Sequence, residues 1–169
     1  MRKSVVMLGV LTLLLFIGTS KVRAQEEAVS QEKIPKAVMD ALLAKFPKAE
    51  IDKCTTDKEG ADIVYDIEFK QEGRKCEADI KENGIYINYE KAIEAKELPR
   101  AVGEAIEKRY PESTRKEIME ETEVKGKDEE ISAYEVVLET ASKKEVEVRL
   151  SPKGEILEDT GAKKPEEEQ

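Results

Sequence analysis

Two stretches of the chain carry the same amphipathic stripe. In residues 34–47, Ala37, Val38, Ala41, Leu42 and Phe46 recur at i, i+1, i+4, i+5 and i+9, one face of a 3.6-residue period. Lys36, Asp40 and Lys45 lie towards the other side. In residues 98–111 the stripe returns as Ala101, Val102, Ala105, Ile106 and Tyr110. Aligned position by position, five of the fourteen residues are identical, six are close exchanges and three break the match. Such self-similarity at a fixed offset is the signature of a tandem duplication. Each stretch predicts a helix of about three turns, too short to be stable unless it lies on something. Pro35 and Pro99 suit a first turn, where no backbone N–H is needed, and Pro47 and Pro111 close each helix.

What the helices lie on follows them. Residues 50–56 predict a strand and 57–60 a turn. Ile63, Tyr65, Ile67 and Phe69 then alternate with Val64, Asp66 and Glu68, the two-residue period of a half-buried strand. After a turn at Glu72 and Gly73, Cys76, Ala78 and Ile80 alternate with Glu77, Asp79 and Lys81. Asn83-Gly84 is a strong hairpin signal, and residues 85–89 predict the strand after it. The second half repeats the plan: Tyr134 stands where Tyr65 stood, and Val146, Val148 and Leu150 replace Cys76, Ala78 and Ile80. Its extra length falls in residues 117–131, a charged stretch that predicts a longer hairpin. The expected fold class is α+β, two tandem repeats, each one helix packed on a four-stranded antiparallel sheet. Residues 91–98 are too short and too charged for a free linker, so the two sheets are candidates to run side by side.

The N-terminus has a different character. Arg2 and Lys3 precede an uncharged apolar run of 13 residues, 5–17, and Val22 and Ala24 place small residues before Gln25. That order is a cleaved secretory signal. A spanning helix needs about 20 residues, so a retained anchor is the second reading and no stable membrane insertion is expected after cleavage. The implied organisation is a signal at 1–24, a flexible leader at 25–33, repeats at 34–93 and 94–159, and a disordered acidic tail at 160–169. The implied location is the periplasm or the cell exterior.

The block Ile/Leu-Pro-x-Ala-Val-x-x-Ala-Leu/Ile-x-x-x-Phe/Tyr-Pro, then Tyr65-Asp66-Ile67 and Tyr134-Glu135-Val136, then a glycine hairpin, resembles the PepSY-like repeat. More closely it is similar to exported bacterial proteins grouped as β-lactamase-inhibitor-like, PepSY-like. The resemblance covers residues 34 to about 158 and occurs twice. It implies an α+β unit whose helix packs on one face of an antiparallel sheet. It also implies export, and binding or inhibition of another protein through the open sheet face. Its motif is structural, and it transfers no catalytic residue to this chain.

Charge narrows the partners. The whole chain carries a net charge of −9, and the first 24 residues hold Arg2, Lys3, Lys21 and Arg23 with no acid, so their removal leaves −13. Such acidity argues against nucleic acid and against anionic lipid, both of which demand a basic surface. With 40% of residues charged, disorder would be the reading if the apolar periods were missing.

The chain has no His, which removes Ser-His-Asp and Cys-His catalysis and most zinc chemistry together. Acidic runs lack the D-x-D-x-D-G spacing of a calcium loop, and the glycines do not cluster into a phosphate loop. No enzyme, cofactor or metal site is expected. Cys54 and Cys76 in an exported chain invite a disulfide. Against that, a simple meander would separate them by a whole strand, about 9–10 Å, where a bridge needs Cα atoms within about 7 Å. A bridge and two structural thiols both stay open.

The sheet face turned away from the helices would be lined by Asp66, Glu68, Glu77, Asp79, Glu135, Glu147 and Arg149. This is the candidate surface for another exported protein, with a basic partner preferred and salt-sensitive association. The alternative is an envelope sensor or weak cation-binding protein without a dedicated protein partner.

Overall fold

The computed structural model describes residues 27–162. The signal segment 1–24, the start of the leader and the tail from residue 163 lie outside the described residues. Strands β1 (Glu27–Ala28), β2 (Ala49–Glu59), β3 (Asp62–Gln71), β4 (Arg74–Lys81) and β5 (Tyr86–Ala92) come first, with helix α1 (Lys36–Lys45) between β1 and β2. Helix α2 (Arg100–Arg109) follows, then β6 (Thr114–Lys125), β7 (Asp128–Glu139), β8 (Glu145–Leu150) and β9 (Ile156–Asp159).

The fold is α+β, and all nine strands form one antiparallel sheet in chain order, β1 to β9. The two sheets that were candidates to run side by side are one sheet. β5 pairs with β6 from Asn88 opposite Glu123 to Ala92 opposite Met119, which makes the sheet continuous. This pairing satisfies two rows of backbone donors and acceptors that separate sheets would leave open at their edges.

Both helices cover the same face. Paired residues on neighbouring strands share a face, and one such row runs Cys76, Lys91, Glu120, Tyr134, Leu150 across β4 to β8. On that face Val38 and Leu42 of α1 pack among Cys54, Ile67, Phe69, Ala78 and Ile80. Val102 and Ile106 of α2 pack among Ile118, Val136, Leu138, Val148 and Leu150. Full burial of a Leu, Ile or Phe side chain stabilises by about 1.5–3 kcal/mol, so these two clusters hold the helices down. Tyr65 and Tyr134, the equivalent strand aromatics, are buried in the first and second cluster.

Glycines set the helix-to-hairpin distance in both halves. A Cβ on Gly84, in the β4–β5 turn, would lie 2.7 Å from the Ala37 carbonyl oxygen of α1. On Gly154, in the β8–β9 turn, it would lie 2.5 Å from the Ala101 carbonyl oxygen of α2. Both glycines have positive φ, +85° and +83°, so each turn needs glycine for backbone and for space.

Three boundary expectations change. The flexible leader is structured from Glu27: β1 pairs with Thr55 and Thr56, Val29 N–H donates to the Cys54 carbonyl at 2.9 Å, and Ile34 is buried. The apolar Val29 and Ile34 give that segment something to pack against. The turn expected at 57–60 is strand up to Glu59, because the β2–β3 ladder runs on to Glu59 opposite Asp62. At the other end Thr160 belongs to the fold, since its N–H donates to the Glu147 carbonyl at 3.0 Å. Among the described residues no helix is long and apolar enough to cross a membrane.

Candidate functional site

The face opposite the helices carries polar residues at the alternate positions that the strand period leaves out of the core. The first row crosses five strands as direct neighbours: Lys53, Glu68, Glu77, Glu90, Glu121. A parallel row runs Thr55, Asp66, Asp79, Asn88, Glu123. In the second half the rows are Met119, Glu135, Arg149, Glu158 and Glu117, Val137, Glu147. All seven expected residues thus stand on this one face: Asp66 and Glu68 on β3, Glu77 and Asp79 on β4, Glu135 on β7, Glu147 and Arg149 on β8.

The rows bring like charges opposite one another. Glu68 faces Glu77, Asp66 faces Asp79, Glu77 faces Glu90, and Glu90 faces Glu121. Like charges directly opposite in a ladder are destabilising, so neutralising contacts matter. Lys53 reaches Glu68 at 2.7 Å, and Lys75 lies between Glu77 and Glu117 at 3.0 and 3.2 Å. Burial alone would lower the Lys75 pKa, but hydrogen bonds and charge from Glu77 and Glu117 outweigh it and hold the ammonium above its ordinary value. Arg149 grips Glu121 at two points, Nε to Oε2 at 2.8 Å and Nη2 to Oε1 at 2.9 Å. Asn88 donates to Asp79 at 3.1 Å.

Glu90 and Glu135 make no side-chain hydrogen bond or ion pair among the described residues. Burial first, and then the charges of Glu135, Glu77, Glu121 and Asp79, push the Glu90 carboxyl up to about 8. Burial, then Glu147, Glu77 and Glu117, push Glu135 up to about 7, with Lys75 opposing. Near neutral pH Glu90 is therefore mostly protonated and Glu135 about half so, which relieves part of the repulsion on the face.

Glu90, Glu117, Glu121 and Glu123 are additions to the seven. Glu90 was hidden because the predicted strand stopped at residue 89, although Asn88 and Glu90 continue its alternation. The other three lay in the charged stretch read only as a hairpin.

The two cysteines are free and buried. Cys54 on β2 stands opposite Ile67 of β3, and Cys76 on β4 stands opposite Phe69, so a full strand and an offset of two residues separate them. The disulfide alternative therefore gives way to two structural thiols. Burial pushes the Cys54 thiol up to about 11 and raises that of Cys76, which makes both poor nucleophiles. Among the described residues no group of three or more Cys, Asp or Glu side chains is arranged to hold a metal ion.

Comparison with known proteins supplies a lineage for this geometry. The profile of the family described as "putative beta-lactamase-inhibitor-like, PepSY-like" matches residues 20–88 and again 63–158. Among solved structures, one described as a putative periplasmic protein of Bacteroides eggerthii superposes with a TM-score of 0.58 at 16% identity, covering 74% of this chain and 86% of that one. A BLIP-like protein of Bacteroides fragilis gives 0.54 at 20% identity, covering 80% and 92%. A DUF2874 family protein of Bacteroides uniformis gives 0.57 at 18% identity, covering 74% and 87%. At these identities the likeness is one of fold. No curated protein matches the chain at a significant level.

Proposed function

The chain belongs to the β-lactamase-inhibitor-like, PepSY-like family, and from that footing we propose that it is an exported, non-enzymatic binding module that inhibits or regulates another exported protein through its open sheet face. The observation that carries this reading is the unbroken carboxylate row on β3 to β6, Glu68, Glu77, Glu90 and Glu121, on the face that neither α1 nor α2 covers. Like charges directly opposite in a ladder lower stability, and proteins accept such local conflicts at functional sites. The partner in this reading presents a basic surface, and association weakens as salt rises.

The periplasm or the cell exterior is its place of action, reached by removal of residues 1–24. The description of the Bacteroides eggerthii neighbour as periplasmic supports that location. We read residues 34–93 and 94–159 as copies of one ancestral unit, each a helix followed by four strands, an order that the element sequence matches. The resemblance of residues 34–47 to 98–111 supports the duplication.

The test is affinity capture from an envelope extract of the source organism, run in parallel with the charge-reversed variant Glu68→Lys/Glu77→Lys. One protein recovered near stoichiometry by the natural chain, lost at high salt and lost with the variant, supports the reading. A blank at low salt with folded protein, or capture that ignores both salt and charge reversal, refutes it.

A further inference from the structure

The open face is neutralised at its flanks and left bare in between. On one side Lys53 serves Glu68 and Lys75 serves Glu77 and Glu117. On the other Arg149 holds Glu121 and approaches Glu158 at 3.9 Å. Between these stations lie Glu90 on β5 and Glu135 on β7, with β6 separating them.

Glu90 faces Glu77 and Asp79 from β4, Glu121 from β6 and Glu135 from β7, with Asn88 on its own strand. Glu135 faces Glu117 and Met119 from β6, Glu147 and Arg149 from β8, and Glu77 and Lys75 from β4. Arg149, the nearest cation in the same row, is already committed to Glu121. Ionising either carboxyl would therefore put an unpaired negative charge, partly withdrawn from water, among other negative charges.

A cation arriving from outside changes that balance, because it favours the ionised form of both groups. We infer that the partner places Lys or Arg side chains over Glu90 and Glu135, and that docking expels the protons these carboxyls hold, so that the face grips more tightly as pH rises through neutrality. The inference rests on the proposed reading of this face as the binding surface and adds to it the anchor residues and their regulation. The half-burial of the two carboxyls among the acids of the open face supports it, since it keeps Glu90 mostly and Glu135 partly protonated near pH 7 in the free protein. By linkage, each proton released on binding raises affinity tenfold per pH unit, and two partly protonated carboxyls release about one proton near neutrality.

A hexa-arginine peptide is the probe. It is titrated calorimetrically into the purified protein at low salt, in two buffers of different ionisation enthalpy, at about pH 6 and about pH 8. The expected result is release of about one proton near neutrality and affinity that rises about 100-fold across those two pH units. Glu90→Gln/Glu135→Gln keeps the shape of the face, so it should lose both the proton release and the pH dependence. Binding without proton release overturns this inference and leaves the binding face standing. No binding by the natural chain, shown to be folded, overturns the inference and the acidic-face reading together. Carboxyl carbon NMR gives a second readout: ordinary midpoints near 4.5 for Glu90 and Glu135 in the free protein would also overturn it.

Discussion

Glu90 stands directly opposite Glu121 across the β5–β6 pairing, yet of the two it is Glu121 that has a cation, the Arg149 guanidinium at 2.8 and 2.9 Å. The difference makes stability depend on pH in a defined direction. Glu90 and Glu135 are raised to about 8 and about 7 in the folded chain. Between an unfolded value of about 4.5 and those values the folded state binds more protons than the unfolded one, so stability falls as pH rises. From about pH 6 to about pH 9 the loss should be about 2 kcal/mol, after allowance for screening by water at the face. Urea unfolding across that range measures it. Glu90→Gln/Glu135→Gln should flatten the profile and be more stable than the natural chain at the alkaline end.

The clamp itself should be cooperative. Arg149→Gln strips Glu121 of its cation, leaving the Ser132 hydroxyl as a donor at 3.0 Å, and adds bare negative charge beside Glu135, so a loss of about 1–3 kcal/mol is expected. Glu121→Gln alone should cost less, because it also removes a negative charge opposite Glu90. In a double-mutant cycle the pair should couple by about 1 kcal/mol or more. Simple additivity would show that the two hydrogen bonds contribute little.

The glycines separate crowding from backbone conformation. Gly154→Ala and Gly84→Ala each meet a positive φ and a helix carbonyl at 2.5 and 2.7 Å. Gly126→Ala, in the β6–β7 turn, meets a positive φ of +69° with nothing within 4 Å. Gly126→Ala should cost about 1 kcal/mol, the conformational share alone, and the other two at least twice as much. Melting temperatures of the three variants give the order directly.

The thiols should be silent until the fold opens. Ellman's reagent at mildly alkaline pH should titrate Cys54 and Cys76 slowly in folded protein and rapidly in denaturant, because both are buried with raised pKa values. Unreduced and reduced protein should have the same mass. A fast native reaction at Cys76 would place it at the surface, contrary to its 3% exposure.

Much of this architecture was legible where one face of an element is apolar. The stripe Val38–Leu42 and its copy Val102–Ile106 predicted α1 and α2 to within two residues, since both residues of each pair lie fully inside a core cluster. The alternation from Ile63 to Phe69 predicted which side of β3 is buried. Periodicity falls silent where both faces are polar. On β6 the helix side carries Glu120 and Thr122 and the open side Glu121 and Glu123, so neither face announced a strand between residues 119 and 123. Continuity of the sheet depends on those very residues. Glu90 went unseen for a related reason: its setting is made by Glu77 and Glu121, 13 and 31 positions away in sequence, and only strand pairing brings them together. β1, two residues long, has no period to read.

The β5–β6 ladder also decides what becomes of a truncated gene product. Its five residue pairs weld the halves along their backbones, with Lys45 of α1 and Tyr89 of β5 both bonded to Glu129 of β7. Either half made alone would carry a raw strand edge down its length and seek another chain to close it. The duplicated chain is therefore expected to melt in a single transition, and its halves, released from one another, to associate or be degraded rather than survive as free-standing miniatures.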